Sequence, residues 1–401
     1  MHSAGGRPTR QRQPRKLAGV PANQLSVRPI TPAEHEAFLV HRPEASFLQL
    51  PAWTDVKKEW RAEHLGWYDG EALIGAAQVL HRPAPVIKRT LAYIPEGPVL
   101  DWESRDPQEY LAPMLAHFRR TRVFLVRMGA PLVRRAWSAA SVRKALSAGE
   151  AGLVTTLEPK STDAAAESVA ARLSALGWTK PEVSEDFAAG QPEFQARIPL
   201  VDADGKPLDL DGVLGQMNQN ARRETRKAAA GPLQVQVGGT GDIGRFHALY
   251  RETAERDGFT GRPASYFTTM ATALNAHAPG TFTLYLASHE GRDLAAAIRV
   301  RSGRNAWYVY GASSAAERKL FAPKALMHRM IEDSLAEGCV FLDQGGVSAT
   351  LSKDHPLAGL TLFKTTLGCD VVQTLGEWDY PIHRLFAAAF DFYMKRRSQS
   401  K

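Results

Sequence analysis

LGWYDGEALIGAAQVL, at residues 65–80, has the alternating apolar and polar residues of two short strands joined by a tight turn at Gly70. The stretch LASHEGRDLAAAIRV, at residues 286–300, has the same pattern, with its turn at Gly291. The two stretches align without a gap. The sequence therefore predicts two equivalent β-hairpins, one in each half of the chain.

Three more elements follow each hairpin at nearly the same spacing. The matched pairs are the strands that end at Tyr93 and Tyr310, the helical stretches 107–120 and 323–337, and the apolar runs RVFLVRMG (122–129) and CVFLDQGG (339–346), which are typical of buried strands. Four elements matching in order favour a duplication over chance. Because this is the element order of an acetyltransferase, we predict an α/β fold of two tandem acetyltransferase-like (GNAT-like) domains.

The repeat also suggests how the chain is divided. Residues 1–24 are rich in Arg, Gln, Pro and Gly and are predicted to form a disordered basic arm. The first domain is placed at residues 25–190 and the second at residues 191–375. Residues 376–401 are expected to pack back onto the first domain.

The composition narrows the class of partner. The chain has 401 residues, a formal net charge of +8 and a sequence pI of about 9.4. Positive charge attracts polyanions, so nucleic acid, nucleotide sugars and anionic membranes are candidates, although an arginine-rich composition alone gives the same charge. No apolar segment follows the N-terminal arginines, and none approaches the ~20 residues that cross a bilayer, which predicts a cytoplasmic protein. Cys339 and Cys369 are predicted to be buried free thiols.

A basic helix is predicted in the second domain. Residues 210–230, LDGVLGQMNQNARRETRKAAA, have apolar side chains at spacings of three and four, as one amphipathic helix does. Its last two turns carry Arg222, Arg223, Arg226 and Lys227. The helix dipole favours cations there by ~0.3–1 kcal/mol each, but four neighbouring cations repel one another. We therefore favour phosphate binding, which suits the arginine fork, over a merely solvated face.

Coenzyme A is not an expected ligand. An acyl-CoA enzyme of this fold holds pyrophosphate on a glycine-rich turn that leads into its central helix. The equivalent stretch AAERKLFAPKAL (315–326) has Arg318 but no glycine after it, and WESRDPQEYL (102–111) also lacks the turn. Metal-ligand clusters, Ser-His-Asp arrangements and Walker motifs do not occur at recognisable spacing. We therefore expect no metal site and no bound cofactor.

Three polar residues of the second domain are candidate site residues. Lys364 lies in LFKTTLGCD (362–370), a stretch predicted to be an apolar strand, where a lysine needs a partner or a ligand. Tyr308 and Tyr310 alternate with Val309 and are predicted to point to one face of a strand. Such a pair is often part of a core with satisfied hydroxyls, so Lys364 is the residue that structure alone explains least.

Six short motifs occur in order along the chain. They are FLQLPAWTDVKKEW (47–60), YIPEGPVLDW (93–102), NARRETRKAAAG (220–231), WYVYGASS (307–314), LFKTTLGCD (362–370) and EWDYPI (377–382). Together they resemble the Fem family of aminoacyl-tRNA-dependent peptidyltransferases, which build interpeptide bridges in peptidoglycan. The resemblance covers residues 25–385 and implies the same tandem acetyltransferase-like fold. The chain departs from many members at Glu96, where they carry a basic residue, and has no counterpart of the long helical arm of staphylococcal members.

The resemblance implies an aminoacyltransferase. It would move glycine, alanine or serine from charged tRNA to the stem-peptide side-chain amine of a peptidoglycan precursor, either lipid II or UDP-MurNAc-pentapeptide. A monomer is expected, with a peripheral contact to the inner membrane leaflet. The candidate substrate-binding residues are Lys57 and Arg222 for the diphosphate, Tyr308 and Tyr310 for the acceptor channel, and Arg226, Tyr93 and Phe363 as further contacts.

The candidate catalytic residues are Lys364 and Asp343. Lys364 would lie at the reacting end and stabilise negative charge on the tRNA 3′ end or on the oxyanion. Asp343, on the buried strand of the second repeat, is a candidate general base. Two other functions stay open: a GNAT-like N-acyltransferase that acts on another amine, and a non-catalytic protein that binds tRNA or the precursor. Pure binding would not need a cation at the reacting end.

Overall fold

The structure, a computed structural model, describes residues 25–84, 88–149, 152–181 and 190–399, and the predicted N-terminal arm lies outside them. The strands are β1 (Ser26–Pro29), β2 (Arg61–Asp69), β3 (Ala72–Pro83), β4 (Thr90–Ile94), β5 (Val123–Met128), β6 (Val133–Trp137), β7 (Ser161–Thr162), β8 (Phe194–Pro199), β9 (Gln234–Gly238), β10 (Phe282–His289), β11 (Arg292–Ser302), β12 (Asn305–Ser313), β13 (Phe341–Gly346), β14 (Asp370–Thr374) and β15 (Trp378–Pro381). The α-helices are α1 (Pro32–Leu39), α2 (Trp53–Val56), α3 (Pro107–Arg119), α4 (Ala139–Ala148), α5 (Ala164–Ala175), α6 (Leu210–Gly215), α7 (Gln219–Ala229), α8 (Ile243–Asp257), α9 (Ala264–His277), α10 (Ala322–Ala336), α11 (Ala358–Thr366) and α12 (Arg384–Gln399).

Two sheets organise these elements. The first has the strand order β1-β2-β3-β4-β5-β15, and the second has the order β7-β6-β14-β8-β13-β12-β11-β10-β9. The pairs β4–β5 and β12–β13 are parallel, whereas the other strand pairs are antiparallel. A parallel pair needs a crossover connection, which α3 provides in the first sheet and α10 in the second.

The duplication predicted from the hairpins is present. β2 pairs with β3 and β10 pairs with β11, and Gly70 and Gly291 both turn through positive φ, at 60° and 77°. The strand, helix and parallel strand follow in the same order in both halves. The chain therefore folds as two tandem acetyltransferase-like α/β units. No long helical arm leaves the described part of the second unit.

Strands cross between the two halves of the chain. β15 pairs with β5 and so completes the edge of the first sheet. β6 and β7, which precede residue 190, extend the second sheet by way of β14. The division at residue 190 remains a proposal about the repeat, because each sheet takes strands from both sides of it.

A shared apolar core joins the two units. Leu80 of β3 and Ile298 of β11 belong to one buried cluster that also includes side chains of α2, α8 and α9. Separate clusters lie beneath α3 and α5 on the first sheet and beneath α7 and α10 on the second. Cys339 and Cys369 are buried free thiols in the latter cluster, as predicted. Each Å² of apolar surface that is removed from water stabilises the folded state by about 25 cal/mol. The shared core therefore holds the two units together side by side.

The basic segment forms two helices, whereas the sequence predicted one over residues 210–230. α6 ends at Gly215, and α7 begins after Asn218, whose side-chain oxygen accepts a hydrogen bond from the backbone N–H of Ala221 at 2.7 Å. An asparagine that caps a helix in this way starts a new helix. The apolar spacing continues through the break because Met217, between the helices, is buried in the same core.

The strand predicted over residues 362–370 is also wrong, since α11 covers most of it and Lys364 lies on that helix. The buried side chains of α11 are Ala358, Thr361 and Thr365. They recur at intervals of three and four, which is the period of a helix. A short apolar run is compatible with both a strand and a buried helix. The spacing of the buried side chains over the whole of α11 is that of a helix.

Candidate active site

A cavity of about 420 Å³ lies in the cleft between the two units. The first unit contributes α2, β3 and β4 to its wall, and the second contributes α9 and β12. The charged and phenolic residues that line it are Lys57, Arg82, Tyr93, Arg127, Arg262, Tyr266 and Tyr310. Three of the residues singled out in the sequence, Lys57, Tyr93 and Tyr310, therefore meet in one cleft.

Two cations share one aromatic ring in this cavity. The Lys57 amine lies 5.3 Å from the ring centre of Tyr266, and the Arg262 guanidinium lies 4.5 Å from it. Neither cation forms an ion pair within the described ranges. Burial lowers the pKa of Lys57, the neighbouring charge of Arg262 lowers it further, and Glu59 opposes both effects. Two adjacent, partly desolvated cations make a site suited to a divalent anion.

The opposite wall carries a hydrogen-bonded carboxylate. Tyr93 donates a hydrogen bond to Glu377 at 2.6 Å, and the backbone N–H of Gln191 donates to the same carboxylate oxygen at 2.9 Å. Burial raises the pKa of Glu377 and raises that of Tyr93 well above its usual value. Arg127 forms a two-pronged ion pair with Asp379, with both contacts at 2.7 Å. The charge of Arg127 is therefore largely neutralised within the protein.

Tyr308 and Tyr310 do not share a face, contrary to the prediction. A bulge shifts the register of β11 and β12, so that Tyr308 pairs with Arg299 and Tyr310 pairs with Ile298. Tyr310 packs beside the cavity, with its ring centre 5.0 Å from that of Phe267. Tyr308 packs into the cluster on the other face of the second sheet, where burial raises its pKa to about 12. A bulge inserts one extra residue and so breaks the strict alternation of side chains.

Lys364 directs its amine at the end of β13, where it donates a hydrogen bond to the carbonyl of Gly346 at 2.8 Å. It makes no ion pair with any side chain in the parts of the chain that the structure describes. Burial lowers the pKa of this amine, while Cys369 and Asp343 act in the opposite direction. Phe363, the next residue, is 49% exposed. An ammonium group with few internal partners thus lies beside an exposed aromatic ring.

A buried polar network crosses from one unit to the other next to Lys364. Arg197 donates to Asp343 at 3.0 Å and to Gln195 at 2.7 Å. Gln195 donates to Glu96 at 3.4 Å, and Ser46 donates to the other oxygen of Glu96, whose pKa burial raises. The carboxylate of Asp343 also accepts a backbone N–H at 2.6 Å. Its two oxygens are thus engaged by internal donors, which favours a positioning role over that of a free general base.

Arg222 and Arg226 lie on α7, which packs on α10 beneath the outer face of the second sheet. Lys57, in contrast, lies over Trp53 in the core that the two units share. Arg226 is exposed and pairs with Asp211 at 2.7 Å. The structure therefore does not bring Arg222 to Lys57, and the predicted joint grip on one diphosphate is not formed.

The basic helix adjoins α11 instead. The backbone N–H of Asn218, at the start of α7, donates to the carbonyl of Thr366 at 3.0 Å. The backbone N–H of Arg222 donates to Asn218, which places Arg222 one turn into the helix from this junction. Arg222 is half-buried and forms no ion pair within the described ranges. Arg222 and Lys364 thus belong to neighbouring helices, and Lys57 belongs to a separate cleft.

Sequence reasoning missed Arg262 and Glu377. Arg262 stands two residues before α9, at the end of a helix where the dipole disfavours a cation. Tyr266, four residues later, lies in the first turn of that helix. A cation at the N-terminal end of a helix is unfavourable unless an anion binds beside it. This position was therefore the sequence signal that could have identified Arg262. Glu377 had no such signal, since its burial depends on contacts with Tyr93, which is distant in the sequence.

Two features are absent from the parts of the chain that the structure describes. No group of three or more His, Cys, Asp or Glu side chains there could hold a metal ion. No helix there has both the length and the apolar character needed to cross a membrane.

Comparison with known proteins places these features in a family. A family model described as the FemAB family matches residues 30–289 and 282–395. Lipid II:glycine glycyltransferases of Staphylococcus aureus strains MRSA252 and USA300 are each 24% identical over 436 aligned positions, which cover 88% of this chain and 92% of theirs. A crystal structure of FemX superposes with a TM-score of 0.74 and is 20% identical, covering 91% of this chain and 100% of that one.

Proposed function

Because the chain belongs to the FemAB family, we propose that it transfers an aminoacyl group to a peptidoglycan precursor. In this proposal the donor is a charged tRNA that carries glycine, alanine or serine, and the acceptor is the side-chain amine of the stem peptide. The relatives named for glycyl transfer to lipid II support the reaction class. The observation that carries the proposal is the pair of cations in the inter-unit cleft, neither of which forms an ion pair within the described residues.

We assign the precursor's diphosphate to Lys57 and Arg262. A diphosphate supplies two adjacent negative charges, and the two cations lie within reach of one another over Tyr266. Lysine meets phosphate as a point charge, whereas arginine binds two oxygens at once. From this anchor the stem peptide would run along the wall that Tyr93 and Tyr310 form. This assignment replaces the pairing of Lys57 with Arg222.

The donor side is assigned to α7 and α11. In this proposal Lys364 neutralises charge at the tRNA 3′ end or on the oxyanion, and Phe363 stacks on the terminal base. Arg222, on the adjoining helix, would meet a tRNA phosphate together with the exposed Arg226. The two substrates would thus approach from the two sides of the buried network that links Glu96 to Asp343.

The chemistry requires little from the protein beyond positioning. The acceptor amine attacks the ester carbonyl, an amide forms, and the bond to the tRNA 3′ oxygen breaks. An aminoacyl ester is already activated, so a protein nucleophile is not needed. The amine must lose a proton, and the Tyr93–Glu377 pair is our proposed acceptor because burial raises the pKa of Glu377. Asp343, held by Arg197, would fix the end of β13 against which Lys364 rests.

The direct test is aminoacyl transfer with purified protein. Lipid II and UDP-MurNAc-pentapeptide are offered separately as acceptors, with tRNA charged with glycine, alanine or serine as donors. We expect product with at least one pair and none when acetyl-CoA replaces the tRNA. Efficient acetyl transfer without tRNA would instead identify a GNAT-like N-acyltransferase of another amine. Binding of tRNA or precursor with no product from any pair would identify a non-catalytic binding protein.

A further inference from the structure

The helix α12 presents an apolar stripe to solvent. Leu385 is 88% exposed and Phe392 is 59% exposed, and Ala388 and Ala389 lie exposed between them. These positions fall at i, i+3, i+4 and i+7, so they form one continuous face of the helix. A contiguous apolar face that solvent reaches marks an interaction site.

The opposite face of α12 is already occupied. Phe386, Ala387 and Phe390 pack against Phe124 and Leu125 of β5. This contact fixes the rotation of the helix, so the stripe cannot turn inward to bury itself. The helix is therefore apolar on two faces. Among the residues that the structure describes, apolar partners pack against the inner face.

The segment that contains the stripe is basic. Residues 384–401 contain five Lys and Arg residues and a single Asp, a net charge of +4 out of +8 for the whole chain. Arg384 is exposed at the start of the helix, and Arg396 is exposed farther along it with its guanidinium 4.8 Å above the ring of Phe392. An apolar row with cations at both ends matches the boundary between the acyl chains and the headgroups of an anionic bilayer.

The inner face of α12 lies next to the inter-unit cavity. Leu91 of β4 lines the cavity and belongs to the cluster that holds α12. Arg89, two residues earlier, has its guanidinium 4.9 Å above the ring of Phe386. A surface that meets the outer face of α12 would therefore lie one helix diameter, ~10–12 Å, from the cluster that contains Leu91.

We propose that the outer face of α12 docks on an anionic phospholipid bilayer. A second copy of this chain is a poorer partner, because a symmetric contact would bring together two C-terminal segments that each have a net charge of +4. An anionic bilayer satisfies both the apolar stripe and the cations of its segment. Docking would hold the cavity near the membrane surface, which favours the lipid-linked precursor over the nucleotide-linked one. That substrate choice rests on the proposed function, whereas the docking itself does not.

Flotation of the purified full chain with vesicles tests the docking. The vesicles contain either phosphatidylcholine alone or phosphatidylcholine mixed with phosphatidylglycerol. We expect strong binding to the anionic vesicles, weak binding to the neutral ones, and loss of binding at high salt. The double variant Leu385→Glu/Phe392→Glu should bind the anionic vesicles at least about tenfold more weakly, since one buried apolar side chain can account for that factor.

A matched control is Val40→Glu/Val237→Glu, which adds the same two charges at positions 73% and 52% exposed on other elements. It should bind vesicles about as well as the parent, apart from a small charge effect. Equal loss in both double variants, or equal binding to both kinds of vesicle, would overturn the proposal. A different result would assign the stripe to self-association. In that case the parent would be a dimer in size-exclusion chromatography, and the α12 variant would be a monomer that still floats with vesicles as the parent does.

The two proposals fail separately. Transfer to detergent-solubilised lipid II together with no vesicle binding would remove the docking and leave the proposed function. Vesicle binding together with no aminoacyl transfer to any precursor would remove the proposed function and leave the docking. If both hold, the α12 variant should lose transfer to lipid II in vesicles but keep transfer to lipid II in detergent, because its residues lie outside the catalytic cleft.

Discussion

Arg262 and Lys57 hold their charges in a cleft where neither forms an ion pair with a carboxylate of the described residues. We expect Arg262→Ala or Lys57→Ala to weaken precursor binding by about 10- to 100-fold, since a charge-assisted hydrogen bond typically contributes ~1.5–3 kcal/mol. Isothermal titration with the nucleotide-linked precursor measures this. Arg222→Ala and Arg223→Ala, on the basic helix, should leave precursor binding within about twofold. A large loss at Arg222 alone would return the diphosphate to α7.

Lys364 contributes charge where the fold does not require it. Among the described residues its amine donates a hydrogen bond to a backbone carbonyl and forms no ion pair. Burial lowers its pKa, so the free protein carries a desolvation cost. Lys364→Met keeps the apolar stem and should leave the melting temperature nearly unchanged. Turnover should fall at least ~10²-fold, the scale seen when one oxyanion-stabilising donor is removed. Lys353→Met, at an exposed position, is the control, and early melting of the Lys364 variant would make the residue structural.

Single residues differ in how far the sequence could assign them. Lys57 could be proposed because a motif contains it, and the structure does place it in a cavity. Arg262 was not proposed, because Lys57 comes to the ring beside it, that of Tyr266, only when α9 packs against α2. Arg222 and Lys57 were both predicted to bind the diphosphate. The four clustered cations on the basic helix indicate that an anion binds there, but they do not indicate which cleft holds it. Charge is readable from a sequence, whereas the convergence of charges from different elements is not.

At the scale of elements, the break between α6 and α7 sets the direction of the basic helix. The side chain of Asn218 caps α7 and its backbone ties the helix to the end of α11. Asn218→Ala should lower the free energy of unfolding by ~1 kcal/mol, the usual effect of losing a cap. Urea denaturation measures this, with Asn220→Ala, at an exposed position on the same helix, as the neutral control. Asn218→Ser should restore most of the loss, and an equal effect at both asparagines would argue against the cap.

The contact of α1 with β2 makes the first unit sensitive to acid. His35 and His64 face each other with their Nδ1 atoms 2.8 Å apart, so at least one ring must be neutral to accept the hydrogen bond. Burial, reinforced by His64, lowers the pKa of His35 from 6.5 to about 3. The unfolded chain therefore binds a proton that the folded chain does not, and stability present above pH 6.5 is lost as the pH falls towards 3.

Equilibrium denaturation at several pH values measures this dependence. We expect the parent to lose about 1.4 kcal/mol per pH unit for this group below its unfolded pKa, and His35→Gln to show a shallower slope. His41→Gln, at an exposed position, should keep the slope of the parent. Glu63 adds an acid dependence of its own at lower pH: burial would raise its pKa, but hydrogen bonds from His117 and His81 lower it to about 2. Identical slopes in all three proteins would show that the pair does not titrate as described.

Elements defined by local turn chemistry were predictable from the sequence. Both hairpins follow from a glycine with positive φ between alternating strands, and both crossover helices follow from apolar spacing. The bulge that separates Tyr308 from Tyr310 was not predictable, because it depends on how β11 and β12 pair. The helix at Lys364 was missed because residues 362–370 are too short to show a period.

At the scale of the whole molecule, the exchange of strands links the stability of the two units. The first sheet needs β15 and the second needs β6 and β7, so neither half of the sequence contains a complete sheet. We expect urea to unfold the chain in one transition that circular dichroism and tryptophan fluorescence report together. A fragment of residues 25–190 should be aggregated or unfolded when expressed alone. Two separate transitions, or a soluble folded fragment, would show that the units are independent.

The pairing of β5 with β15 also has a consequence for biosynthesis. Arg127 and Asp379, which are partners across these strands, are 252 positions apart in the sequence. While the ribosome is still translating the second unit, β5 has emerged with an unpaired edge, and Phe124 and Leu125 lack the cover of α12. An open edge beside apolar side chains attracts other nascent chains, so this polypeptide should depend on ribosome-associated chaperones until translation reaches the strand that closes its first sheet.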